Sequence, residues 1–430
     1  MKKIIQFKLK ILAKLILKKY KPKIIGVTGS VGKTSTKEAI YAVLASKFKV
    51  RQSIKNYNNE IGLPLTIIGS DSPGKSIFGW WGVMIKGIYL LLRKDENYPE
   101  MLVLEMGVDR PGDMAYLMKI TKADIGVITM IANSHLEYFK SIKEIQKEKG
   151  LMIEKIKPDG WAILNFDNDL TKELAGKSRA KTLTYGFKDG AGVRAQELSF
   201  SFFNTKDINN LQGLSFKLTH AGSFVPMALP KVIGYNSVYA ALAAAAVGIS
   251  YDINLVDIAK ALKDLASPPG RMNLIPGIKQ TLIIDDTYNS SPQSSISALD
   301  ILSKIKLPAS SRKFAVLGDM LELGQDTESG HREVGQAVFK VGVDKLIVVG
   351  ERARDIARGA QEAGMDRDDI FQFKNSDEAK MFLQNRLQQG DLALIKGSQG
   401  LRMEKIVKEI MAEPLRAKEL LVRQDGTWNA

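Results

Sequence analysis

Residues 23–45 read KIIGVTGSVGKTSTKEAIYAVLA. An apolar run ends at Thr28, a glycine-framed turn follows, and a helix-like stretch opens at Lys33. Such a turn between strand and helix presents backbone N–H groups to a phosphate, and the helix terminus adds favourable partial charge. On this reading Gly29, Ser30, Val31, Gly32, Lys33, Thr34 and Ser35 cradle a nucleotide. The Lys33 ammonium reaches the outer phosphates and the Thr34 hydroxyl binds magnesium. The spacing departs from G-x-x-x-x-G-K-[ST], whose first glycine falls on Val27, but Gly29 and Gly32 still supply the tight turn.

Outward from this loop, short apolar runs alternate with helix-like stretches: KEAIYAVLASKF, MLVLEMGV, DMAYLMKI, ADIGVITMI, SIKEIQKEKGLMIEKI and GWAILNF. The alternation predicts an α/β fold with a mostly parallel sheet wrapped by helices, whose ligands sit at the carboxyl ends of strands. Between Lys181 and Pro230 the texture changes to short strand-like pieces, read as antiparallel strands decorating the sheet edge. Two helices follow in SVYAALAAAAVGI and LVDIAKALKDLA, and SPPGR, residues 267–271, stops helix propagation and marks a domain boundary. The alternation then resumes from TLIIDD to MEKIVKEI, a second, Rossmann-like α/β domain. The expected organisation is a basic amphipathic segment over 1–22, a P-loop domain over 23–268, a C-terminal domain over 269–412 and a polar tail over 413–430.

A chain of 430 residues with 45% hydrophobic and 25% charged residues has the composition of a folded protein of two or more domains. The absence of cysteine excludes disulfides and thiolate metal sites, so a metal must be held by oxygen or imidazole. A net charge of +15 ordinarily suggests nucleic acid or anionic lipid as a partner, but nine lysines and no acid fall within the first 23 residues and the remainder is only mildly basic. No nucleic-acid partner is expected. In that segment Ile4, Ile5, Leu12, Leu15 and Ile16 gather on one side at helical spacing, with lysines flanking them. Residues 77–92, IFGWWGVMIKGIYLLL, carry Trp80 and Trp81 and end against Arg93 and Lys94. Two readings stand open for both segments: peripheral contact with anionic lipid at the inner membrane face, or helices packed on the protein itself. Lysines interrupt the first segment too often for a secretory signal, and the protein is expected to be cytoplasmic.

Two further strand ends offer metal ligands. MLVLEMG delivers Glu105 and GVITMIANSH delivers His135 to the face where the phosphate loop opens. A carboxylate and an imidazole beside phosphates suit a cation in phosphoryl transfer, although magnesium prefers oxygen.

The stretches TGSVGKTSTKEAI, NYNNEIGLPLTI, LEMGVDRPGDMAYL, SHLEYFKSIKEIQKEKG, PPGRMNLI, IIDDTYNSSPQSS, VLGDMLELG and IKGSQGLRMEKIV together resemble the Mur ligases, most nearly the MurF type. The resemblance is colinear from about Lys23 to Ile410. It implies ATP-dependent, ADP-forming amide synthesis. A substrate carboxylate attacks the γ-phosphate, and an amine displaces phosphate from the acyl phosphate. The expected substrates are a muramoyl-peptide precursor and D-alanyl-D-alanine or a similar amine, with two magnesium ions. It further implies catalytic roles for Lys33, His135, Lys149 and Arg271, metal ligation by Thr34, Glu105, His135 and a carbamylated Lys149, and nucleotide contacts from Asn236, Arg271 and Asp286. Asn58, Asn59, Asn289, Asp319, Lys396 and Arg402 fall in the substrate loops. From the residues alone, Lys149 is one of several lysines on a solvated helix, beside Lys143, Lys147 and Lys155.

The match departs from the family in two places. Tyr235 and Tyr239 flank Asn236 where the family often has histidine and asparagine, which affects base recognition. Only about 23 residues precede the first strand, so the family's leading uridine-nucleotide domain is expected to be absent. The competing class is a P-loop regulatory or binding module that uses nucleotide as a switch and forms no bond.

Overall fold

The computed structural model describes residues 2–53, 57–132, 138–202 and 211–424. The phosphate-loop sheet contains β1 (Lys23–Thr28), β2 (Val50–Gln52), β3 (Met101–Glu105), β4 (Ile125–Ile128), β5 (Trp161–Asn165), β6 (Lys181–Gly186), β7 (Val193–Phe202), β8 (Leu211–His220) and β9 (Ser223–Leu229). Among the described residues these lie in the order β2-β3-β1-β4-β5-β6-β7-β8-β9. Strands β3 and β4 are buried along their whole length, which is why they read as unbroken apolar runs.

Helices α1 (Lys2–Tyr20), α2 (Lys33–Ala45), α3 (Gly62–Ile68), α4 (Ile77–Leu92), α5 (Asp113–Met118), α6 (Ile142–Glu154), α7 (Asp169–Lys172), α8 (Tyr235–Ile249) and α9 (Leu255–Leu262) cover this sheet. Alanine gives α8 both helix propensity and a small cross-section, and it packs closely on α2. A Cβ on Gly248 would come within 2.8 Å of Val43 Cγ1. Ser141 caps α6 by accepting from Glu144 N at 3.3 Å.

The expectation of antiparallel strands after Lys181 is corrected at β6 and β7. Strand β6 runs parallel to β5, and β7 pairs parallel with β6 through Tyr185 and Gly186. For β6 the reason is the helical crossover from β5, α7 with the 3-10 turn Glu173–Lys177, which carries the chain back before the strand starts; the parallel pairing of β7 is confined to the two register pairs Tyr185–Val193 and Gly186–Arg194.

By compactness the chain divides into two units. The first comprises Met1–Leu198, Phe216–Ala228 and Tyr235–Leu265; the second comprises Ser199–Ser215, Leu229–Gly234 and Ala266–Ala430. The second unit has its own sheet of β10 (Asn273–Pro276), β11 (Leu282–Asp286), β12 (Lys313–Gly318), β13 (Lys345–Val349), β14 (Ile370–Phe373) and β15 (Leu392–Lys396), in the order β10-β11-β15-β12-β13-β14. Among the described residues of this sheet, only β10 is antiparallel to its neighbour. Helices α10 (Pro292–Lys304), α11 (Thr327–Lys340), α12 (Arg354–Ala363), α13 (Ser376–Arg386) and α14 (Glu404–Ile410) alternate with the strands. Ser291 and Ser294 form a capping box at α10, with Pro292 in its first turn. In the stretch read as a polar tail, Ala417 and Leu421, spaced i and i+4, are buried in this unit's core.

Candidate active site

Parallel register places three strand ends together. Val27 pairs with Glu105, and Thr28 pairs with Ile128, so the loop after β1, the carboxyl end of β3 and the loop after β4 share one edge. Thr28 Oγ1 donates to Met106 O at 2.8 Å and fixes the first two. Thr129 Oγ1 donates to Val31 O at 2.5 Å, Ser30 N donates to Met130 O at 2.6 Å, and Ala132 N donates to Ser30 Oγ at 3.1 Å. These bonds hold the glycine turn in shape. Gly29 has φ of 149° and leaves no room for a side chain, since a Cβ would lie 2.0 Å from Thr129 Oγ1. Gly32, at φ 83°, starts α2 and directs its first N–H groups outward. Lys33 Nζ donates to Gly29 O at 2.9 Å, so its ammonium lies across the turn.

The Thr34 hydroxyl donates to Glu105 Oε2 at 3.1 Å, and Asn58 Nδ2 donates to Glu105 Oε1 at 3.2 Å. Glu105 is buried, and its backbone N–H is held by Ser53 Oγ. The structure thus brings Thr34, Glu105 and Asn58 together. A hydroxyl and a carboxylate oxygen are the hard donors magnesium takes, so these residues fit that ion. Among the described residues no group of three histidine, aspartate or glutamate side chains converges. His135 lies outside the described residues. Asn59 acts locally on the backbone, its Oδ1 accepting from Ile61 N and Gly62 N at the start of α3.

Lys149 is buried at 1% exposure on α6. Burial first, then the neighbouring charge of Lys33, pushes its amine down to about 7, against the opposing pull of Asp109, Glu148 and Asp113. Sequence reasoning missed those three acids, although Asp109 and Asp113 stand in the quoted LEMGVDRPGDMAYL. It also missed Lys37, fully buried on α2, whose Nζ donates to Ser53 O at 2.6 Å and faces Glu38. The signal for Lys37 was its position one turn after Lys33.

Asn236 is exposed in the first turn of α8. Phe187 meets the rings of Tyr235 and Tyr239 edge-on, with centroids 6.0 and 4.8 Å away. Tyr239 OH donates to Asp167 Oδ2 at 2.8 Å, and Asp167 also accepts from Phe187 N and Lys188 N. The family departures at 235 and 239 are thus part of an aromatic cluster organised by Asp167.

In the second unit, Lys396 Nζ donates to Asp286 Oδ2 at 2.7 Å and to Asn289 O at 2.9 Å, so three of the sequence candidates meet at the ends of β11 and β15. Asp286 also accepts from Met272 N, beside Arg271, whose guanidinium lies 4.2 Å from the Tyr288 ring centroid. Asp319 Oδ1 accepts from Ala353 N at 2.7 Å beneath Gly350, and Asp319 O accepts from Ser398 N. Arg402 pairs with buried Glu404 at 2.5 Å, and Arg423 pairs with the same carboxylate at 2.8 Å. Asp285, fully buried, accepts from Gly270 N, Thr287 N and Thr287 Oγ1. Desolvation pushes its carboxyl up to about 7.

Residues 27–73 and 85–248 match the Mur ligase middle domain, and 270–399 match the Mur ligase, glutamate ligase domain. The UDP-N-acetylmuramoyl-tripeptide–D-alanyl-D-alanine ligase of Bacillus subtilis is 32% identical over 408 residues, covering 94% of this chain and 79% of that protein. The chain is a Mur ligase. The Escherichia coli enzyme of the same name is 28% identical over 393 residues, covering 90% of this Mur ligase and 76% of that protein. MurF from Thermotoga maritima, solved in complex with ADP, superposes with a TM-score of 0.74 at 27% identity over 96% of this chain and 84% of that one. MurF from Acinetobacter baumannii superposes with a TM-score of 0.75 at 26% identity, covering 94% and 79%. The match to both family domains favours a ligase over a nucleotide switch.

Proposed function

We propose that this Mur ligase is ADP-forming and joins a muramoyl-peptide carboxylate to D-alanyl-D-alanine or a similar amine. The observation that carries the reading is the Thr34–Glu105 contact at the mouth of the glycine turn, with Lys33 and buried Lys149 beside it. A carboxylate is a poor electrophile at neutral pH. Its oxygen attacks the γ-phosphorus of ATP, the bond to the β-phosphate oxygen breaks, and ADP leaves. The amine nitrogen then attacks the acyl carbon, and the tetrahedral adduct expels inorganic phosphate, giving the amide.

The turn amides and Lys33 hold the phosphates and offset the charge that an incoming carboxylate meets. Magnesium, held by Thr34 and Glu105, supplies further charge neutralisation when bound. Asn58 keeps the Glu105 carboxylate oriented. Lys149 is the residue to be carbamylated: the ammonium gives up a proton, the neutral nitrogen bonds to the carbon of carbon dioxide and releases its second proton to solvent, and the product is a carboxylate beside Lys33. Arg271, Asn236 and Asp286 are assigned to the nucleotide, and Asn289, Lys396, Asp319, Arg402 and Asn59 to the substrate loops. His135 is assigned to the second metal.

The test is phosphate release from ATP and magnesium with muramoyl-tripeptide precursor and D-alanyl-D-alanine, each present or omitted. Release and a new amide product that require both substrates support the reading. Hydrolysis indifferent to them identifies a nucleotide switch and overturns it.

A further inference from the structure

Helices α1 and α4 pack against each other through Leu12 and Gly87, and Lys19 Nζ donates to the carbonyls of Leu90, Leu91 and Arg93 at the end of α4. Each buries one side and leaves the opposite side apolar in water. On α1 the buried side is Leu9, Ala13 and Ile16, whereas Ile4, Phe7, Ile11 and Leu15, spaced i, i+3, i+7 and i+11, are exposed, which corrects the sequence grouping of Ile4 and Leu15 with Ile16. On α4 the buried side is Val83, Gly87 and Leu90. Its outer face is made of large apolar residues, led by Phe78 at 89%, Trp81 at 66%, Ile85 at 62% and Leu92 at 80% exposure. Isolated exposed apolar residues need no explanation, but a run along two adjoining helices marks a docking surface.

We propose that this face seats the protein on an anionic lipid bilayer. Charge decides the occupant. Exposed Lys8, Lys14 and Lys18 border the apolar stripe of α1, and Lys75, Lys86, Arg93 and Lys94 border α4. No acid occurs from Met1 to Lys23 or from Ser72 to Lys94. A face that attracts anions and exposes aromatic rings matches the headgroup boundary of a bilayer with negative lipids. It lies on the surface without crossing: among the described residues no helix is long and apolar enough to span, and 16 residues of α4 rise about 24 Å against a hydrocarbon core of about 30 Å. A second copy of the chain would have to bring like charges together.

Only part of this apolar layer, α1 and the first half of α4, lies outside the family match, and Ile85 and Leu92 fall within it. Neither α1 nor residues 74–84 falls within the stretches matching the Mur ligase domains. The layer nevertheless adjoins the catalytic edge. Gln6 Nε2 on α1 donates to Glu60 Oε1 at 2.8 Å, next to Asn59, which starts α3, and Asn58, which reaches Glu105. Membrane seating therefore holds the substrate loop close to the lipid surface.

The experiment is sedimentation of the full chain with vesicles of phosphatidylglycerol and phosphatidylethanolamine, or of phosphatidylcholine alone, at low and high salt. Binding is expected to the anionic vesicles at low salt, with affinity falling roughly fivefold for each of Lys8→Gln and Lys14→Gln. The double variant Phe78→Glu with Trp81→Glu is expected to lose roughly a hundredfold, because two ring burials are removed. Both positions are exposed, so its thermal midpoint and nucleotide affinity should equal those of the parent. Independently of any variant, brominated lipid should quench tryptophan fluorescence of the parent chain. Absence of binding to anionic vesicles, unchanged binding by the double variant, or self-association through this face without vesicle binding would each overturn the proposal.

Discussion

Replacing Lys149 by methionine should make the protein more stable and inactive at once. The side chain is 1% exposed, and its amine is pushed down from the ordinary 10.5 to about 7, by burial and then by Lys33. In the unfolded chain the amine stays protonated up to 10.5; in the folded chain it loses its proton above about 7. Between those values the unfolded state binds more protons, so the stability of the parent rises with pH across that window. At pH 7 the penalty relative to a side chain that never carries charge is on the order of 4 kcal/mol, an upper bound because buried sites relax. Methionine has similar length and no charge, so the variant should gain up to about that amount, with the gap closing as pH approaches 10. The assay is urea unfolding of the nucleotide-free parent and variant from pH 6 to 10 in buffer free of carbon dioxide. Amide synthesis, measured alongside, should be abolished in Lys149→Ala and partly restored by a short carboxylate such as acetate. A variant less stable than the parent at pH 7, or a gap that does not change with pH, would refute the account of the buried amine. Full ligase activity in either variant would refute the carbamate.

Gly29→Ala should weaken ATP binding by roughly a hundredfold or more in calorimetry, since the new Cβ meets Thr129 Oγ1 at 2.0 Å in a backbone region alanine avoids. Glu105→Gln keeps an acceptor for Thr34 but removes the negative charge, so the magnesium concentration for half-maximal activity should rise at least about tenfold. Glu404→Ala removes the buried carboxylate that Arg402 and Arg423 share and should cost about 3–5 kcal/mol in urea unfolding. Asp285 contributes the opposite pH sign to Lys149. Its folded-state carboxyl is raised from 3.8 to about 7, so its share of the stability falls as pH rises through that range, and Asp285→Ala should flatten that slope.

Much of the fold was legible because parallel strands buried on both faces are written as unbroken apolar runs, as in MLVLE and IGVI. The glycine turn was legible for a local reason: backbone conformation and N–H direction depend on Gly29 and Gly32 themselves. Lys149 was the harder residue. Among the lysines of α6 and its end, Lys143, Lys147 and Lys155 are exposed, while Lys149 shares the buried stripe of Ile145, Met152 and Ile153 at i, i+4, i+7 and i+8. Helical periodicity alone separates it from its neighbours. Strand β6 failed for the converse reason, because turn residues announce a reversal of the chain and do not reveal that a helical crossover has already undone it.

Helix α4 marks a limit of a different kind. IFGWWGVMIKGIYLLL is apolar almost all round, so its composition fits a helix inside a core and a helix lying on lipid equally well. The distinction is carried by the number of neighbours available to cover it. Helices α1 and α3 cover the side of Val83, Gly87 and Leu90, and the outer side keeps Phe78, Trp81, Ile85 and Leu92 in solvent. A chain that needed only to fold would place polar residues there, as it does on the outer positions of α6. Hydrophobic burial that folding leaves incomplete on α4 is available to drive association, and the lysines on its border select a surface of negative charge.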